Sequence, residues 1–473
     1  MKQAARFKDT GLSKRFLARI ARAATLAAFI IAVATGAGAQ PNFSNPVFYS
    51  SGPVPTAVAV GDLDGDRDND IAVVSRQGHL RLLFNNGSGV FTAVDHLGLW
   101  PSNAYTLDIA TGDLDRDGDL DLAVAFTTSS GAISVLLNKG NGQFAPPANY
   151  NLCFSSSGVA IGDLDGDGDL DIADVNQCFT AGVILNDGRG GFALRGAYGD
   201  GYGSKAIAAT DFNGDGFTDL AYVNNGLHNI SVLLNNRDAT FDNFAWYDAG
   251  SLPESLVAGD FDRDGLTDIA VANSSSANVT ILKNTGNGQF ARGVNYGAGP
   301  QPSSVTAADL DADADLDLVV TNKSGASFSV LKNNGGVFAT PLVFGAGQSP
   351  VDSAVANLNG DSLLDLVVVN QQSENVAVLF GATGSTPPPP PQPAEQITLS
   401  ARARSVKKSR FVDLSWSGAQ SSSVDLYRNG TRIATTANDG SHTDSLTQKS
   451  GTFTYKVCSA GTSVCSNTAT VRF

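Results

Sequence analysis

The chain has 473 residues, longer than one average domain, and a formal net charge of −15. The acid excess is concentrated in residues 40–394, at −26, while residues 396–473 carry +6. So acidic a body excludes nucleic acid as the partner and calls for cations.

Residues 1–39 hold seven basic residues (Lys2, Arg6, Lys8, Lys14, Arg15, Arg19 and Arg22) and one acid, Asp9. An apolar run from Ala23 to Val33 follows, then Ala37-Gly38-Ala39. This is the order of a signal peptide, with cleavage expected after Ala39. A membrane anchor would need roughly 20 apolar residues, more than this run supplies. The mature chain is therefore expected outside the cytoplasm, secreted or, in a Gram-negative source, periplasmic. Four cysteines suit that compartment. Proximity favours disulfides Cys153–Cys178 and Cys458–Cys465.

Between residues 40 and 383 one segment recurs seven times. The copies are GDLDGDRDNDIAVV from Gly61, GDLDRDGDLDLAVA from Gly112, GDLDGDGDLDIADV from Gly162, TDFNGDGFTDLAYV from Thr210, GDFDRDGLTDIAVA from Gly259, ADLDADADLDLVVT from Ala308 and ANLNGDSLLDLVVV from Ala356. They lie 48 to 51 residues apart. Each copy has a short apolar strand, an acidic loop, a second apolar strand, a third alternating strand, an Asn/Gly turn and a fourth strand. Asn-Gly and Gly-rich pairs between apolar runs mark hairpins. The unit is a four-stranded antiparallel meander, and its period is that of a propeller blade.

The fourth strand carries Phe-x5-aromatic, as in Phe144/Tyr150, Phe192/Tyr198, Phe241/Tyr247, Phe290/Tyr296 and Phe338/Phe344. In the first copy Phe91 is kept and Leu97 replaces the second aromatic. The seventh copy lacks this strand, and the missing piece stands before the first loop as Phe43/Tyr49. The expectation is a closed ring of seven, with the N-terminal segment completing the last blade and covering its edge. The aromatics are expected to pack between blades.

The loops follow D-x-[DN]-x-D-G-x-x-D. Hard cations such as Ca2+ take six to eight oxygens, and this spacing supplies them from positions 1, 3, 5 and 9 plus the carbonyl of position 7. The expected sets are Asp62, Asp64, Asp66, Asp68 and Asp70; Asp113, Asp115, Asp117, Asp119 and Asp121; Asp163, Asp165, Asp167, Asp169 and Asp171; Asp211, Asn213, Asp215, Phe217 and Asp219; Asp260, Asp262, Asp264, Leu266 and Asp268; Asp309, Asp311, Asp313, Asp315 and Asp317; and Asn357, Asn359, Asp361, Leu363 and Asp365. An EF-hand would need a glutamate at position 12, where the first loop has Val73. Four or five carboxylates within a few ångströms repel one another unless a cation enters, which argues against a solvated turn. Up to seven Ca2+ are expected, the seventh site weakest, since two asparagines stand there where most copies have Asp.

On these motifs the seven units resemble FG-GAP/VCBS repeats, the calcium-loop blades also found in integrin α-subunit propellers and a fungal seven-bladed lectin. The resemblance covers the repeat region and implies a structural role for the calcium, pinning the turn between the two inner strands of each blade.

Residues 384–395 contain a polyproline run and read as a semi-rigid linker. Residues 396–473 read as short strands and resemble a fibronectin type III-like or immunoglobulin-like β-sandwich, carried by Trp416 and by Tyr455 after Leu446. The fold class is thus all-β: a seven-bladed propeller of four-stranded blades, then a small sandwich.

The expected function is a secreted calcium-binding module for glycans or extracellular proteins, with no membrane span and a monomeric propeller. Candidate ligand-stacking aromatics are Trp100, Tyr105, Tyr202 and Trp246, with packing as the favoured reading of each. A polysaccharide lyase or hydrolase would need non-repeated acid and base groups converging in one pocket. The repeats offer few, among them His79, His96 and His228, so no catalytic residue is named. A passive matrix scaffold is the third reading.

Overall fold

The computed structural model describes residues 40–382 and 397–473, apart from short stretches at 77, 97–98, 101–103, 128–131, 152–154, 177–180, 200, 242, 407–408, 420–422, 449 and 460–465. The expected signal peptide and linker lie outside the described residues. The chain divides into two compact units, Met1–Pro390 and Pro391–Phe473. No helix of the described residues is long and apolar enough to cross a membrane.

The first unit contains seven four-stranded antiparallel sheets. The first sheet runs Pro55–Gly61, Asp70–Ser75, His79–Asn85 and Phe91–His96, from inside to outside. The second strand is buried throughout, which is why its sequence is a continuous apolar run rather than an alternation. The outer strand buries only Phe91. Hydrophobicity along the repeat thus sets the radial order of its strands.

The innermost strands neighbour one another in chain order, and the seventh, Pro350–Ala356, returns to the first, Pro55–Gly61. The seventh sheet is composite. Val47–Ser50 pairs antiparallel with Asn375–Leu379, and Phe43 bridges to Gly381. The N-terminal segment therefore completes the last sheet, as the displaced Phe43/Tyr49 copy predicts.

Ring contacts mark all seven junctions. Each outer-strand aromatic meets the phenylalanine of the next sheet nearly edge-on: Tyr49 with Phe91 (5.3 Å), Tyr150 with Phe192 (5.5 Å), Tyr198 with Phe241 (5.4 Å), Tyr247 with Phe290 (5.1 Å), Tyr296 with Phe338 (5.3 Å) and Phe344 with Phe43 (5.6 Å). At the seventh junction His96 meets Phe144 at 6.2 Å. The residue taking the aromatic's place in the first repeat is thus His96, whereas the sequence spacing pointed to position 97. Edge-to-face geometry suits the ring quadrupole.

A register shift recurs near the start of every innermost strand, between Pro55/Ala57, Thr106/Asp108, Ser156/Gly158, Ser204/Ile207, Pro253/Ser255, Pro302/Ser304 and Pro350/Asp352. Such a bulge leaves a residue out of the ladder and re-aims its side chain.

In the second unit a three-stranded sheet (Thr398–Val406, Ser409–Ser417, Ser441–Leu446) and a four-stranded sheet (Thr431–Ala437, Ser423–Arg428, Thr452–Ser459, Ala469–Arg472) share one apolar core. Trp416 and Tyr455 both lie in it. The Tyr455 hydroxyl donates to Asp444 Oδ2 (2.7 Å), which Arg428 Nη1 also reaches (2.8 Å). The Trp416 indole donates to Asn438 Oδ1.

Candidate functional site: the acidic loops and the axial cavity

Each acidic loop joins an innermost strand to the second strand of its sheet. Short carboxylates fold the loop onto its own backbone. In the third loop Asp163 accepts the amides of Gly166 (2.7 Å) and Gly168 (3.0 Å), Asp165 that of Asp167 (3.2 Å), and Asp167 that of Asp169 (2.8 Å). Positions 4 and 6 are both left-handed, at φ 80° and 88° in Gly166 and Gly168. The glycine at position 6 was expected. The second left-handed position was not, because Arg116, Arg263 and Ala312 occupy it in other loops without a glycine signal.

The aspartate at position 9 has a different task. Asp171 is fully buried, and its two oxygens accept the amides of Leu164 (2.9 Å) and Asn186 (2.8 Å). The same pair recurs at Asp70, Asp121, Asp219, Asp268, Asp317 and Asp365, with Gly381 replacing the asparagine in the seventh sheet. Burial pushes these carboxyls up, to about 6 at Asp70, Asp121, Asp219 and Asp268 and to about 7 at Asp171 and Asp317, against the pull of the two amides. Burial, reinforced by adjacent loop carboxylates, also raises Asp64, Asp115 and Asp165.

The carboxylates converge. Asp62, Asp64 and Asp66 bring oxygens within 4.8 Å of one another, as do Asp113, Asp115 and Asp121; Asp163, Asp165 and Asp171; Asp260, Asp262 and Asp268; and Asp309, Asp311 and Asp317. One oxygen each of Asp113, Asp262 and Asp311 is buried with no hydrogen-bond donor. A buried, donor-less carboxylate oxygen facing further carboxylates is what a hard cation satisfies, so the residues present fit calcium. Positions 3 of the fourth and seventh loops are Asn213 and Asn359, which lowers the charge there. In the seventh loop Asn359 Nδ2 donates to Asp361 Oδ2 (2.9 Å) and Asn357 Nδ2 to the Asp361 carbonyl, so amide donors consume acceptors an ion would need.

Among the described residues three loops receive an internal cation at position 3 or 5, the fourth loop from Arg237 Nε, 3.2 Å from Asp215 Oδ2. Lys283 Nζ lies 3.0 Å from Asp262 Oδ2. Lys332 Nζ bonds Asp311 and lies 3.3 Å from Asp313. Lysine in these two copies stands where the others have Phe84, Leu137, Leu185, Leu234 and Phe380. At position 7, Asp169 pairs with Arg116, and Asp315 with Arg263 Nε (2.8 Å), tying adjacent loops together. Those two side chains are thereby occupied, which leaves position 7 its carbonyl.

Sequence reasoning missed the asparagine that opens each turn after the third strand. Asn235 Nδ2 donates to the Leu164 carbonyl of the preceding sheet's loop (2.7 Å) and to Thr218 of its own (2.8 Å). Asn85, Asn138, Asn186, Asn284 and Asn333 do the same to Leu358, Leu63, Leu114, Phe212 and Phe261. Six junctions are clipped in this way. The signal was present as a fixed Asn after the third strand, but it also reads as an ordinary turn residue.

At the opposite end of the innermost strands lies a cavity of about 240 Å³, lined by residues of all seven sheets. The bulges aim Thr56, Leu107, Ser157, Lys205, Glu254, Ser303 and Val351 into it. Arg76 and Lys323 join them from the turns after the second strands. Lys205 Nζ lies 3.4 Å from Glu254, which also accepts from Asn225 (3.1 Å). Burial, and next the charge of Arg76, hold the Lys323 ammonium below its usual range. Asp108 and Asp352 complete the wall and staple neighbouring innermost strands, accepting the amides of Val159 (2.9 Å) and Val58 (3.0 Å). Burial pushes Asp108 up to about 7, against the Val159 amide and helped by the Asp352 charge.

The four candidate aromatics do not converge. Trp100 is 5 % exposed and packs on Phe126, which leaves it a core residue. Tyr105, on the second sheet, Trp246, on the fourth, and Tyr202, just before the fourth sheet's innermost strand, are more than half exposed. Cys458 is not a free thiol, while Cys153, Cys178 and Cys465, and with them both expected pairings, lie outside the described residues.

The profile of the FG-GAP-like repeat matches residues 62–124, 117–173, 211–271, 260–320 and 309–368, together more than half of the chain. No curated protein matches the chain in sequence at a significant level. In fold the chain is similar to BBS1N in complex with ARL6DN, in a mercury-soaked crystal (12% identity, TM-score 0.53, covering 73% of this chain and 99% of that one) and a lead-soaked crystal (12%, 0.52, 73% and 98%). At that identity the likeness concerns the fold alone: a β-propeller. On the repeats matched and the loops they contain, the chain belongs to the FG-GAP-like repeat family.

Proposed function

We propose that the chain is an exported interaction module whose propeller is held by calcium in the acidic loops. One observation carries this reading: buried, donor-less carboxylate oxygens recur where three loop carboxylates converge. Residues at positions 1, 3, 5 and 9 would hold the ion, with the carbonyl of position 7. The ion supplies positive charge that offsets carboxylate repulsion. The first three loops bind best on this reading, the lysine-filled fifth and sixth less well, and the seventh least.

The neighbouring propeller of similar fold is a complex with a partner protein, which favours a protein ligand over a bare scaffold. Glycan recognition remains the second ligand class. Residues 1–39 serve as the export signal, the Cys153–Cys178 and Cys458–Cys465 bridges form after export, and the proline-rich stretch 384–395 spaces a fibronectin type III-like unit from the propeller.

The test is thermal unfolding of residues 40–473 in EDTA and in millimolar Ca2+, with bound metal counted. A large upward shift with several Ca2+ per chain supports the reading. No shift and no bound metal sinks it.

A further inference from the structure

The two ends of the ring obey different rules. At the loop end the same side chains return in every repeat. At the cavity end the geometry returns, since every innermost strand has its bulge, but the residue each bulge delivers changes from Thr to Leu, Ser, Lys, Glu, Ser and Val. Conserving a strand fold does not require this variety. It is what seven separately chosen wall positions around one small ligand would look like.

The wall's chemistry narrows the ligand. Three of its hydroxyls give their hydrogens to backbone carbonyls. Thr56 Oγ1 donates to Val74 and Thr106 carbonyls, Ser157 Oγ to Ser204 and Ser303 Oγ to Pro350. These groups therefore turn lone pairs to the cavity. The cationic donors on the wall among the described residues are Arg76, Lys205 and Lys323. Against them stands Glu254, already held by Asn225 and Lys205. Three cations share the wall with three acids, Glu254, Asp108 and Asp352, inside a repeat region of formal charge −26. Asp108 and Asp352 offer acceptors beside them.

We propose that the axial cavity binds a small hydroxy acid of the sugar-acid type. Its carboxylate meets Arg76, Lys205 and Lys323. Its hydroxyls donate to Asp108, Asp352 and the outward lone pairs of the wall serines. The volume of about 240 Å³ holds one such unit rather than a folded peptide. This goes beyond the calcium reading and does not depend on it, because the cavity and the loops occupy opposite ends of the innermost strands.

The probe is D-glucuronate, titrated calorimetrically into the calcium-equilibrated chain 40–473, with D-glucose and inorganic sulfate as parallel arms. The expected result is saturable glucuronate binding, at least about tenfold weaker in Lys323→Met and in Arg76→Gln, since each removes a charge-assisted bond. Glucose is expected not to bind, and sulfate to bind more weakly than glucuronate. Arg76 is exposed and has no side-chain partner among the described residues, so Arg76→Gln keeps the test open should Lys323→Met fail to fold. No glucuronate binding, equal binding of glucose, sulfate binding as tight as glucuronate, or unchanged affinity in both variants overturns the proposal. The melting shift between EDTA and Ca2+, read on the same samples, reports separately on the metal reading.

Discussion

The innermost strand of each sheet is seven or eight residues long, and its two ends differ in what recurs from repeat to repeat. Its C-terminal end feeds an acidic loop that recurs nearly unchanged. Its N-terminal end carries a bulge whose residue is serine in two sheets and different in each of the other five. Copied chemistry accompanies cohesion: the buried position-9 aspartate and the asparagine clip join strands and sheets. Varied chemistry on a copied backbone accompanies recognition, because a ligand on the ring axis meets each repeat once and from a different side. The comparison can be broken or sharpened by perturbing each end in turn.

The largest effect is expected from the ring's seam. Deleting Pro41–Ser50 removes the outer strand of the composite sheet, exposes the Asn375–Leu379 edge and takes Phe43 from a cluster in which it is 3 % exposed. Loss of a buried phenylalanine alone costs about 3–5 kcal/mol. Strand pairing and the Tyr49–Phe91 contact add to this, so the total should exceed about 5 kcal/mol in urea unfolding. A deletion variant that unfolds at the wild-type midpoint would show that the ring does not need its seam.

Metal removal comes next. A ligand that binds only the folded state at a hundredfold excess over Kd stabilises it by about 2.7 kcal/mol per site. Removing Ca2+ should therefore lower the melting temperature steeply. The lysines sharpen this prediction: Lys332→Met should tighten binding in the sixth loop, since an ammonium no longer competes at Asp311, and titration should find one additional strong site. Unchanged stoichiometry and affinity would mean that Lys332 swings aside at no cost.

The asparagine clips should cost less, one junction at a time. Asn235→Ala leaves the Leu164 and Thr218 carbonyls without their donor, worth roughly 1–3 kcal/mol. Asn333→Ala, at a distant junction, should add to it independently. A cost near zero for both would reduce the clip to a turn residue.

The same contrast explains what could be read from the chain. Strand order, the acidic loops, the seam and six of the seven aromatic junctions were legible because a repeat prints its residues at a fixed interval. His96 was not, because the first outer strand ends there and the spacing pointed one residue further. Trp100 is buried, as the packing reading favoured for it expects, though a lone tryptophan carries no periodicity that would have decided the matter. The bulges are single-residue register shifts, which exist only in the pairing of two strands. The cavity was least legible of all. Arg76, Lys205 and Lys323 are far apart in sequence and share no motif, and only ring closure brings them together.

The smallest effect tests whether loop chemistry or loop backbone sets the turn. Ala314 in the sixth loop and Arg67 in the first hold the left-handed position 6 at φ 69° and 76°, where the second to fifth loops have glycine. The left-handed region costs an L-residue about 1–2 kcal/mol. Glycine's extra freedom in the unfolded chain takes back about 0.5–1 kcal/mol. Ala314→Gly should therefore stabilise by about 0.5–1 kcal/mol without touching a side-chain contact, since the Ala314 amide still donates to Asp309 and its carbonyl still accepts from Arg263. Melting in EDTA and in Ca2+ separates two accounts. A larger gain in EDTA means that the ion holds the strained turn. An equal gain means that the carboxylate-to-amide network holds it alone, and that in this loop the metal stabilises the ring without shaping it.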